Sequence, residues 1–181
     1  MEIETSRLLL RRLDAGDVEA MTALFVDREV RRHLAVNAMD AFEARNFAVH
    51  FIRESRAEFQ SSGSGAMAVV PRAAPTAAGY CGLRPIPGEG DMLELMYALA
   101  PRFWGLGLAT EAARACLDWG FRNLSIETVI GMARPENLAS CQVMRKLGMA
   151  YSGVTHRYYD DRLALYRLPR FAWSGARQAA L

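Results

Sequence analysis

The sequence predicts a mixed β-sheet with helices packed on it, an α/β or α+β fold. Three strand-like segments, residues 66–70, 78–83 and 92–98, follow one another with short glycine- or proline-containing turns, which favours an antiparallel meander. A helix and a further strand at residues 128–133 come next, and this order indicates a parallel strand pair with a right-handed crossover. The chain has 181 residues, 51% hydrophobic and 23% charged, so it can bury a core, and we expect a single domain.

The N-terminal third predicts one strand followed by three helices. The apolar run at residues 7–13 lies between charges, which favours a strand, and Asp14 can cap a helix after it. Residues 29–34 predict a second, short helix. Asp40 followed by Glu43 resembles a capping box, which predicts a long third helix. The inner face of this helix carries Ala44, Phe47, Phe51 and Ile52 at helical spacing.

Two connectors and the C-terminal half complete the pattern. We expect residues 60–65 (QSSGSG) to form a flexible connector and residues 71–78 to form a hairpin loop or a short disordered excursion. A helix that ends near Arg122 follows a glycine-rich turn, and we expect its polar face to be solvated and internally paired. That face carries Glu111, Arg114, Asp118 and Arg122, and the buried face carries Ala109, Ala112, Cys116 and Trp119. A helix at residues 137–147, stopped by Gly148, precedes a closing hairpin of residues 150–159 and 163–168 about Asp160 and Asp161.

Composition and charge exclude several classes of protein. The formal net charge is +2, from 22 basic and 20 acidic residues, so nothing draws the whole chain to nucleic acid or to an anionic membrane. No apolar run approaches the roughly 18 residues of a membrane span, and the N-terminus lacks a signal-peptide layout, so we expect a cytoplasmic protein. The cysteines Cys81, Cys116 and Cys141 have no histidine at ligand spacing, which favours buried hydrophobes over a catalytic thiol or a metal site.

The segment RFWGLGLATEA, residues 102–112, lies between a predicted strand and a predicted helix. Its glycines allow a sharp turn that points successive N–H groups outward, and the helix N-terminus adds partial positive charge. Such a turn suits a phosphate or a pyrophosphate. It has neither the Gly-Lys-Ser/Thr of a Walker loop nor the three-glycine spacing of a dinucleotide-binding turn. Taken alone, the segment is also compatible with an ordinary tight strand–helix turn.

The pattern RxxGxGxA at residues 102–109, after the strand LELMYALAP, resembles motif A of the GNAT acyltransferase superfamily. Within it, WGLGLATEA is similar to the W-G-x-G-x-A-T-E-A of the RimJ/RimL-type branch. Three further blocks resemble that branch in the expected order: TSRLLLRRLDAGDVEAM from Thr5, GYCGL from Gly79 and ENLASCQVMRKLGM from Glu136. The resemblance covers residues 5–171, and residues 172–181 remain as a tail.

The resemblance implies a strongly twisted mixed sheet of about seven strands, flanked by helices, whose fourth and fifth strands splay apart. Residues 92–99 and 128–133 would be those strands. It also implies acetyl-CoA as a co-substrate, with its pantetheine arm paired along the first of them and its thioester end near Leu99. Asn137 and Ser140 would lie near the pantetheine and the sulfur. The other implied cofactor contacts are Arg102, Trp104, Gly105, Leu106, Gly107, Leu108, Ala109 and Thr110.

Acetyl transfer from a thioester to an amine needs a neutral nucleophile, a group that stabilises the oxyanion and a proton for the thiolate. Glu94 matches a frequent acidic position of the branch and could take the amine proton, or it could lie on the outer face without a role. Many superfamily members place a tyrosine general acid where this chain has Met144, and a thioether cannot donate a proton. Ser140 is therefore the first candidate acid, with Tyr158 and Tyr159 in reserve.

We therefore expect an acetyl-CoA-dependent N-acetyltransferase that acts on a primary amine, either a protein N-terminus or a small-molecule amine. A strongly acidic acceptor cleft would favour polyamines or aminoglycosides. The alternative is a non-catalytic acyl-CoA-binding module, which the absent tyrosine supports. A nucleotide-phosphate binder would need a lysine or a metal ligand that the glycine turn lacks. The sequence leaves open whether the protein is a monomer or a homodimer.

Overall fold

The computed structural model describes residues 1–34, 38–74 and 76–173 of the chain. Its strands are β1 (Glu2–Glu4), β2 (Leu8–Arg12), β3 (Gly65–Pro71), β4 (Gly79–Pro85), β5 (Leu93–Leu99), β6 (Thr128–Ala133), β7 (Ala150–Thr155) and β8 (Leu163–Pro169). They form one eight-stranded sheet in the order β1-β2-β3-β4-β5-β6-β8-β7. All neighbours are antiparallel except β5 and β6, which are parallel, so the predicted meander and crossover are confirmed. Most of the predicted tail, residues 174–181, lies outside the described residues.

The sheet departs from the predicted one at both of its edges. The prediction of about seven strands missed β1, because its sequence Glu-Ile-Glu has one apolar residue and reads as a charged terminus. β1 pairs with β2, so the splayed strands are the fifth and sixth in the chain rather than the fourth and fifth. The predicted strand at residues 150–159 is too long, because β7 ends at Thr155. Tyr159 and Asp160 lie instead in the β7–β8 loop with φ of 58° and 46°.

The α-helices within the described residues are α1 (Val18–Val26), α2 (Arg28–Arg31), α3 (Ala41–Ser62), α4 (Leu108–Asn123) and α5 (Leu138–Lys146). The predicted capping box of α3 is confirmed, since the Asp40 side chain accepts from the Glu43 amide and the Glu43 side chain from the Asp40 amide. The second helix was predicted at residues 29–34. In the structure α2 begins one residue earlier, with Asp27 as its N-cap, and ends at Arg31. None of the described helices is long and apolar enough to cross a membrane.

The predicted flexible connector at residues 60–65 is wrong. α3 continues through Ser62, and the hydroxyls of Ser61 and Ser62 bond carbonyl groups of the preceding helical turn, at 3.0 Å to Ala57 and 2.8 Å to Glu58. The helix ends before Gly63, whose φ of 74° suits a left-handed C-cap, and β3 begins two residues after that glycine. The two serines therefore lie in the last turn of the helix and not in a connector.

The two faces of the sheet have separate cores. α4 and α5 cover one face, where the buried side chains of β5 are Leu93, Leu95 and Leu99. α1 and α3 cover the other face, where Met96 and Ala98 pack. Successive side chains of β5 therefore point to opposite faces of the sheet and lie in different cores.

The three cysteines are buried and form no disulfide, and their burial agrees with the prediction. The described residues contain no cluster of His, Cys, Asp and Glu that could hold a metal ion.

β5 and β6 pair over only three residues, Leu93–Leu95 with Val129–Gly131, and then separate. On its other side β5 stays paired with β4 along its whole length, up to Gly79 opposite Leu99. The Ala100 amide donates to the Ala78 carbonyl, so the alternation of the antiparallel ladder turns the N–H groups of Tyr97 and Leu99 toward the gap. The predicted splay is confirmed, and it leaves backbone donors facing an open cleft.

The cap of α3 gives a test of the fold. Replacing Asp40 with Ala removes the side-chain acceptor of the Glu43 amide, a bond of 2.8 Å, and we expect the free energy of unfolding to fall by about 1 kcal/mol. The Asp40→Asn variant keeps a side-chain acceptor and should lose much less stability. Urea unfolding followed by circular dichroism measures both, and equal losses in the two variants would contradict the capping assignment.

Candidate active site

A cleft of about 750 Å³ opens where β5 and β6 separate. One wall comes from the glycine turn, the first turn of α4 and one side of α5, on one face of the sheet. The other wall comes from α1, α2 and α3 on the opposite face, together with the β7–β8 loop. The cleft therefore passes through the gap in the sheet and connects its two faces.

The glycine turn presents free backbone donors at one end of the cleft. Gly105 and Gly107 have φ of 73° and 76°, which only glycine adopts without strain. Gly107 caps α4 without a side-chain hydrogen bond. Among the described residues, the amides of residues 105–110 find no protein acceptor, since the first bond of the helix is that from the Glu111 amide to the Gly107 carbonyl. These amides and the positive end of α4 form an anion site that fits a pyrophosphate.

Arg7 and Glu111 hold this turn in place. Arg7 donates to the Leu106 carbonyl at 2.9 Å and to Glu111 Oε2 at 2.6 Å. Glu111 Oε1 also accepts from the Thr5 hydroxyl at 2.6 Å and from the Arg7 amide at 3.1 Å. Burial alone would raise the pKa of Glu111, but these hydrogen bonds from Thr5 and Arg7 outweigh it and lower the pKa. The predicted pairing within the polar face of α4 is therefore wrong for Glu111, which bonds the N-terminal segment.

Nine of the predicted cofactor contacts line the cleft: Leu99, Trp104, Gly105, Gly107, Leu108, Ala109, Thr110, Asn137 and Ser140. The indole N–H of Trp104 donates to the Leu99 carbonyl at 2.6 Å, which fixes the end of β5 against the turn. Arg102 and Leu106 do not line it. The Arg102 guanidinium lies over the Phe103 ring, 4.8 Å from its centroid, and the Leu106 side chain points to solvent.

Two hydroxyl groups meet on the α5 side of the cleft. The Ser140 and Tyr97 hydroxyl oxygens are 2.8 Å apart, and the Tyr97 hydroxyl also lies 3.0 Å from the Ser140 carbonyl, to which it can donate. Asn137 caps α5 by accepting from the Ser140 amide at 3.0 Å. Burial raises the pKa of Tyr97, so its hydroxyl stays protonated at neutral pH. Met144 is buried, with its sulfur against Gly131.

Sequence reasoning missed Tyr97. A signal for it existed, because Tyr97 stands three positions after Glu94 in one strand and so must face the opposite side of the sheet. The strand therefore carries a carboxylate toward one wall of the cleft and a phenol toward the other. The phenol lies beside the serine that the sequence had selected as the candidate acid.

Glu94 lines the cleft on the α1–α3 face, so it does not lie on an outer face of the sheet. Its carboxylate accepts from Arg84 Nε at 3.3 Å and from the Tyr159 hydroxyl. Arg84, which sequence reasoning also missed, stands directly opposite Glu94 on β4 and donates to the Tyr159 oxygen at 2.5 Å. Burial raises the pKa of Glu94, although the bonds from Tyr159 and Arg84 act in the other direction.

Tyr158 and Tyr159, the two reserve candidates for the general acid, lie in different parts of the structure. Tyr159 reaches the Glu94 carboxylate from the β7–β8 loop, whereas Tyr158 packs with Ile130, Leu163 and Leu165 in a small core of its own. Burial also raises the pKa of Tyr159, and the neighbouring Glu94 raises it further. Of the two, the structure brings only Tyr159 to the cleft.

The cleft is not strongly acidic. Its carboxylates, within the residues that the structure describes, are Glu94 and Asp161, and each is paired with an arginine. The Arg134 guanidinium donates to Asp161 at 2.7 Å and lowers the pKa of that carboxyl. The cationic groups that line the cleft are Arg84, Arg134 and Lys146. The described residues therefore do not form the strongly acidic cleft that would favour polyamines or aminoglycosides.

A family model described as an acetyltransferase (GNAT) domain matches residues 7–150. The chain belongs to the GNAT acetyltransferase family. Family membership identifies it as an acyltransferase that uses acetyl-CoA, and the free amides of the glycine turn fit the phosphates of that molecule. The relative p20 of Bacillus licheniformis, an uncharacterized N-acetyltransferase, is 26% identical over 155 residues, 85% of each chain.

Two solved structures show how far the fold is shared. RimL, a ribosomal L7/L12 α-N-protein acetyltransferase solved in complex with coenzyme A, superposes with a TM-score of 0.76 at 18% identity. This superposition covers 93% of the present chain and 98% of RimL. The ribosomal-protein-S5-alanine acetyltransferase of Vibrio fischeri superposes with a TM-score of 0.79 at 15% identity, over 96% and 98% of the two chains. At these identities the likeness establishes the fold.

The raised pKa of Glu94 predicts a pH-dependent stability. The folded protein binds this proton more tightly than the unfolded chain, whose carboxyl titrates near 4.5, so the contribution to stability is present at low pH and is lost as the pH rises through the folded-state pKa. We expect the free energy of unfolding of the wild type, relative to the Glu94→Gln variant, to decrease in urea titrations as the pH rises above about 4.5. Glu127→Gln, whose side chain is 83% exposed, serves as the control. A difference that rises with pH would contradict the assignment.

Proposed function

We propose that this protein is an N-acetyltransferase of the RimJ/RimL type, which transfers the acetyl group of acetyl-CoA directly to a primary amine. The observation that carries the proposal is the placement of two proton-handling groups on the two sides of one gap. Glu94 faces the α1–α3 side, and the Ser140–Tyr97 hydroxyl pair faces the α5 side. Between them, β5 offers backbone donors that β6 leaves free.

The cofactor contacts follow the order of these groups along the cleft. The amides of the glycine turn bind the pyrophosphate, and the exposed N–H group of Leu99 donates to an amide carbonyl of the pantetheine arm, as an added strand would. Leu99 adjoins the turn through its bond to Trp104, so it lies toward the phosphate end. We therefore assign the thioester to the neighbourhood of Tyr97, near the vertex of the splay, rather than to Leu99.

Glu94 serves as the general base. A primary amine is mostly an ammonium ion at neutral pH and must lose a proton before it attacks the thioester. The buried carboxylate attracts the ammonium, and its raised pKa makes it a better proton acceptor than an exposed glutamate. Tyr159 and Arg84 orient the carboxylate by hydrogen bonds. The proton passes from the ammonium to Glu94, directly or through one water molecule.

The group that stabilises the oxyanion and the proton donor for the thiolate both lie on the other side of the gap. The N–H group of Tyr97 points to the position where charge develops on the acetyl oxygen, as in an oxyanion hole. When the tetrahedral adduct collapses, the Ser140 hydroxyl gives its proton to the departing thiolate and regains one from the nitrogen of the adduct, through the Tyr97 hydroxyl 2.8 Å away. This pair takes over the role that a tyrosine at the position of Met144 performs in many relatives.

Thermal unfolding with ligands tests the cofactor site. We expect acetyl-CoA and CoA, but not ATP, to raise the Tm, with about 2.7 kcal/mol of added stability at a hundredfold excess over Kd. Gly105→Val should abolish this shift by filling the phosphate site. Gly88→Val is the matched control, because Gly88 and Gly105 have φ of 80° and 73° and both have open space around the missing Cβ. An equal ligand response in the two variants would remove the phosphate assignment.

Glu94→Gln tests catalysis. We expect the variant to lose about 10²-fold or more in kcat/KM in an assay of thiol release, because Gln cannot accept the amine proton, whereas Kd for acetyl-CoA should stay unchanged. Glu127→Gln should retain wild-type kinetics. If the wild type binds CoA but acetylates no amine in a broad panel, the protein is an acyl-CoA-binding module, which is the second candidate function.

A further inference from the structure

The wall of the cleft beyond Glu94 is built of aromatic rings. Phe25 from α1 lies edge-on to Phe47 and Phe51 of α3, with ring centroids 4.8 and 5.4 Å apart. Phe51 in turn lies 4.8 Å from the ring of Tyr80 on β4. These four rings all line the cleft. We call this region the acceptor chamber; its lining is Phe25, Val30, Leu34, Phe47, Phe51, Tyr80 and Met96.

The acceptor chamber adjoins the proposed base. Residues directly opposite in an antiparallel pair share one face, so Tyr80 lies on the same face of the sheet as Arg84 and Glu94. Tyr80 is 6% exposed, its ring lines the cleft, and its hydroxyl is not among the buried side-chain atoms of the described residues that lack a partner. The hydroxyl is therefore open to water or to a ligand in the cleft. An amine held at Glu94 would therefore extend its body against these rings.

The charges around the chamber disfavour a polycation. Glu94 has a carboxylate, but Arg84 and Tyr159 already bond it, and Asp161 is bonded by Arg134. A second or third ammonium group of a polyamine would meet apolar rings or the guanidinium groups of Arg84 and Arg134. Burying an unpaired ammonium ion in such surroundings is strongly unfavourable. A single amino group on an apolar body meets no such penalty.

A bridge across the cleft favours a small molecule. Arg134, just after β6, donates to the Arg32 carbonyl at 2.8 Å and to Asp161 at 2.7 Å. It thereby joins the end of α2 to the β7–β8 loop, and both elements contribute residues to the lining of the cleft. A polypeptide that passed between them would have to break this bridge, whereas a small amine would not.

We propose that the acceptor is a small primary monoamine whose body is aromatic or branched and apolar, bound in the acceptor chamber with its amino group at Glu94. This inference rests on the proposed function. Contact of the body with the four rings sets the affinity for the amine, and Glu94 sets its orientation. The cofactor site on the other face of the sheet takes no part in this selection.

The test is a comparison of kcat/KM for four acceptors with acetyl-CoA at saturation: 2-phenylethylamine, propylamine, spermidine and a peptide with a free N-terminal alanine. We expect 2-phenylethylamine to exceed each of the others by about tenfold or more, because burial of its ring favours the bound state. A preference for spermidine or for the peptide would overturn the inference while leaving the proposed function intact. Absence of thiol release with all four amines would overturn both.

Variants of α3 locate the contact. Phe47→Ala and Phe51→Ala should each raise KM for 2-phenylethylamine about tenfold, with KM for acetyl-CoA unchanged and little effect on propylamine. Phe42→Ala is the matched control, since Phe42 lies on the same helix but is 72% exposed. Two variants of the chamber are used in case one of them folds poorly, and the Tm of each variant is measured to check its stability. Equal effects on 2-phenylethylamine and propylamine would contradict a role of the rings in selection.

Discussion

The divergence of β5 from β6 is the constraint on which the rest of the site depends. A parallel pair that is bonded over only three residues leaves the N–H groups of Tyr97 and Leu99 facing a gap instead of a neighbour. Such donors are stable only if water or an extended ligand satisfies them. Because Trp104 bonds the Leu99 carbonyl and so holds the glycine turn against the end of β5, the free N-terminal amides of α4 lie beside the same gap. One departure from regular pairing therefore creates both the strand edge and the anion site.

This arrangement needs support from a distant part of the chain. A glycine turn with two positive-φ residues has many alternative conformations, and its amides converge only if one of them is fixed. Arg7 fixes it by bonding both the Leu106 carbonyl and Glu111 in the first turn of α4. The edge pair β1–β2 brings Arg7 to this position, so the sheet edge remote from the cleft still determines the shape of the phosphate site.

Local sequence patterns predicted most of the fold, whereas the arrangement of the side chains in the cleft depends on contacts between residues far apart in the sequence. The capping box at Asp40, the meander and the turn before α4 are written within a few residues each, and the structure confirms them. The pairing of Arg84 with Glu94 and of Tyr97 with Ser140 depends on strand register and on the placement of α5, which no local pattern specifies. Glu111 was misassigned for the same reason, because its partner lies 104 positions earlier.

The β7–β8 loop contacts both the proposed base, Glu94, and Arg134, which bridges the cleft. Tyr159 holds a left-handed backbone conformation that is unfavourable for a bulky side chain, so contacts of its own must stabilise it. Those contacts are its bonds to Glu94 and Arg84, and Asp161 two residues later holds Arg134. In the proposed reaction, an ammonium ion at Glu94 would compete with Tyr159 for the carboxylate. The same side chain therefore both orients the proposed base and anchors the loop that holds Arg134.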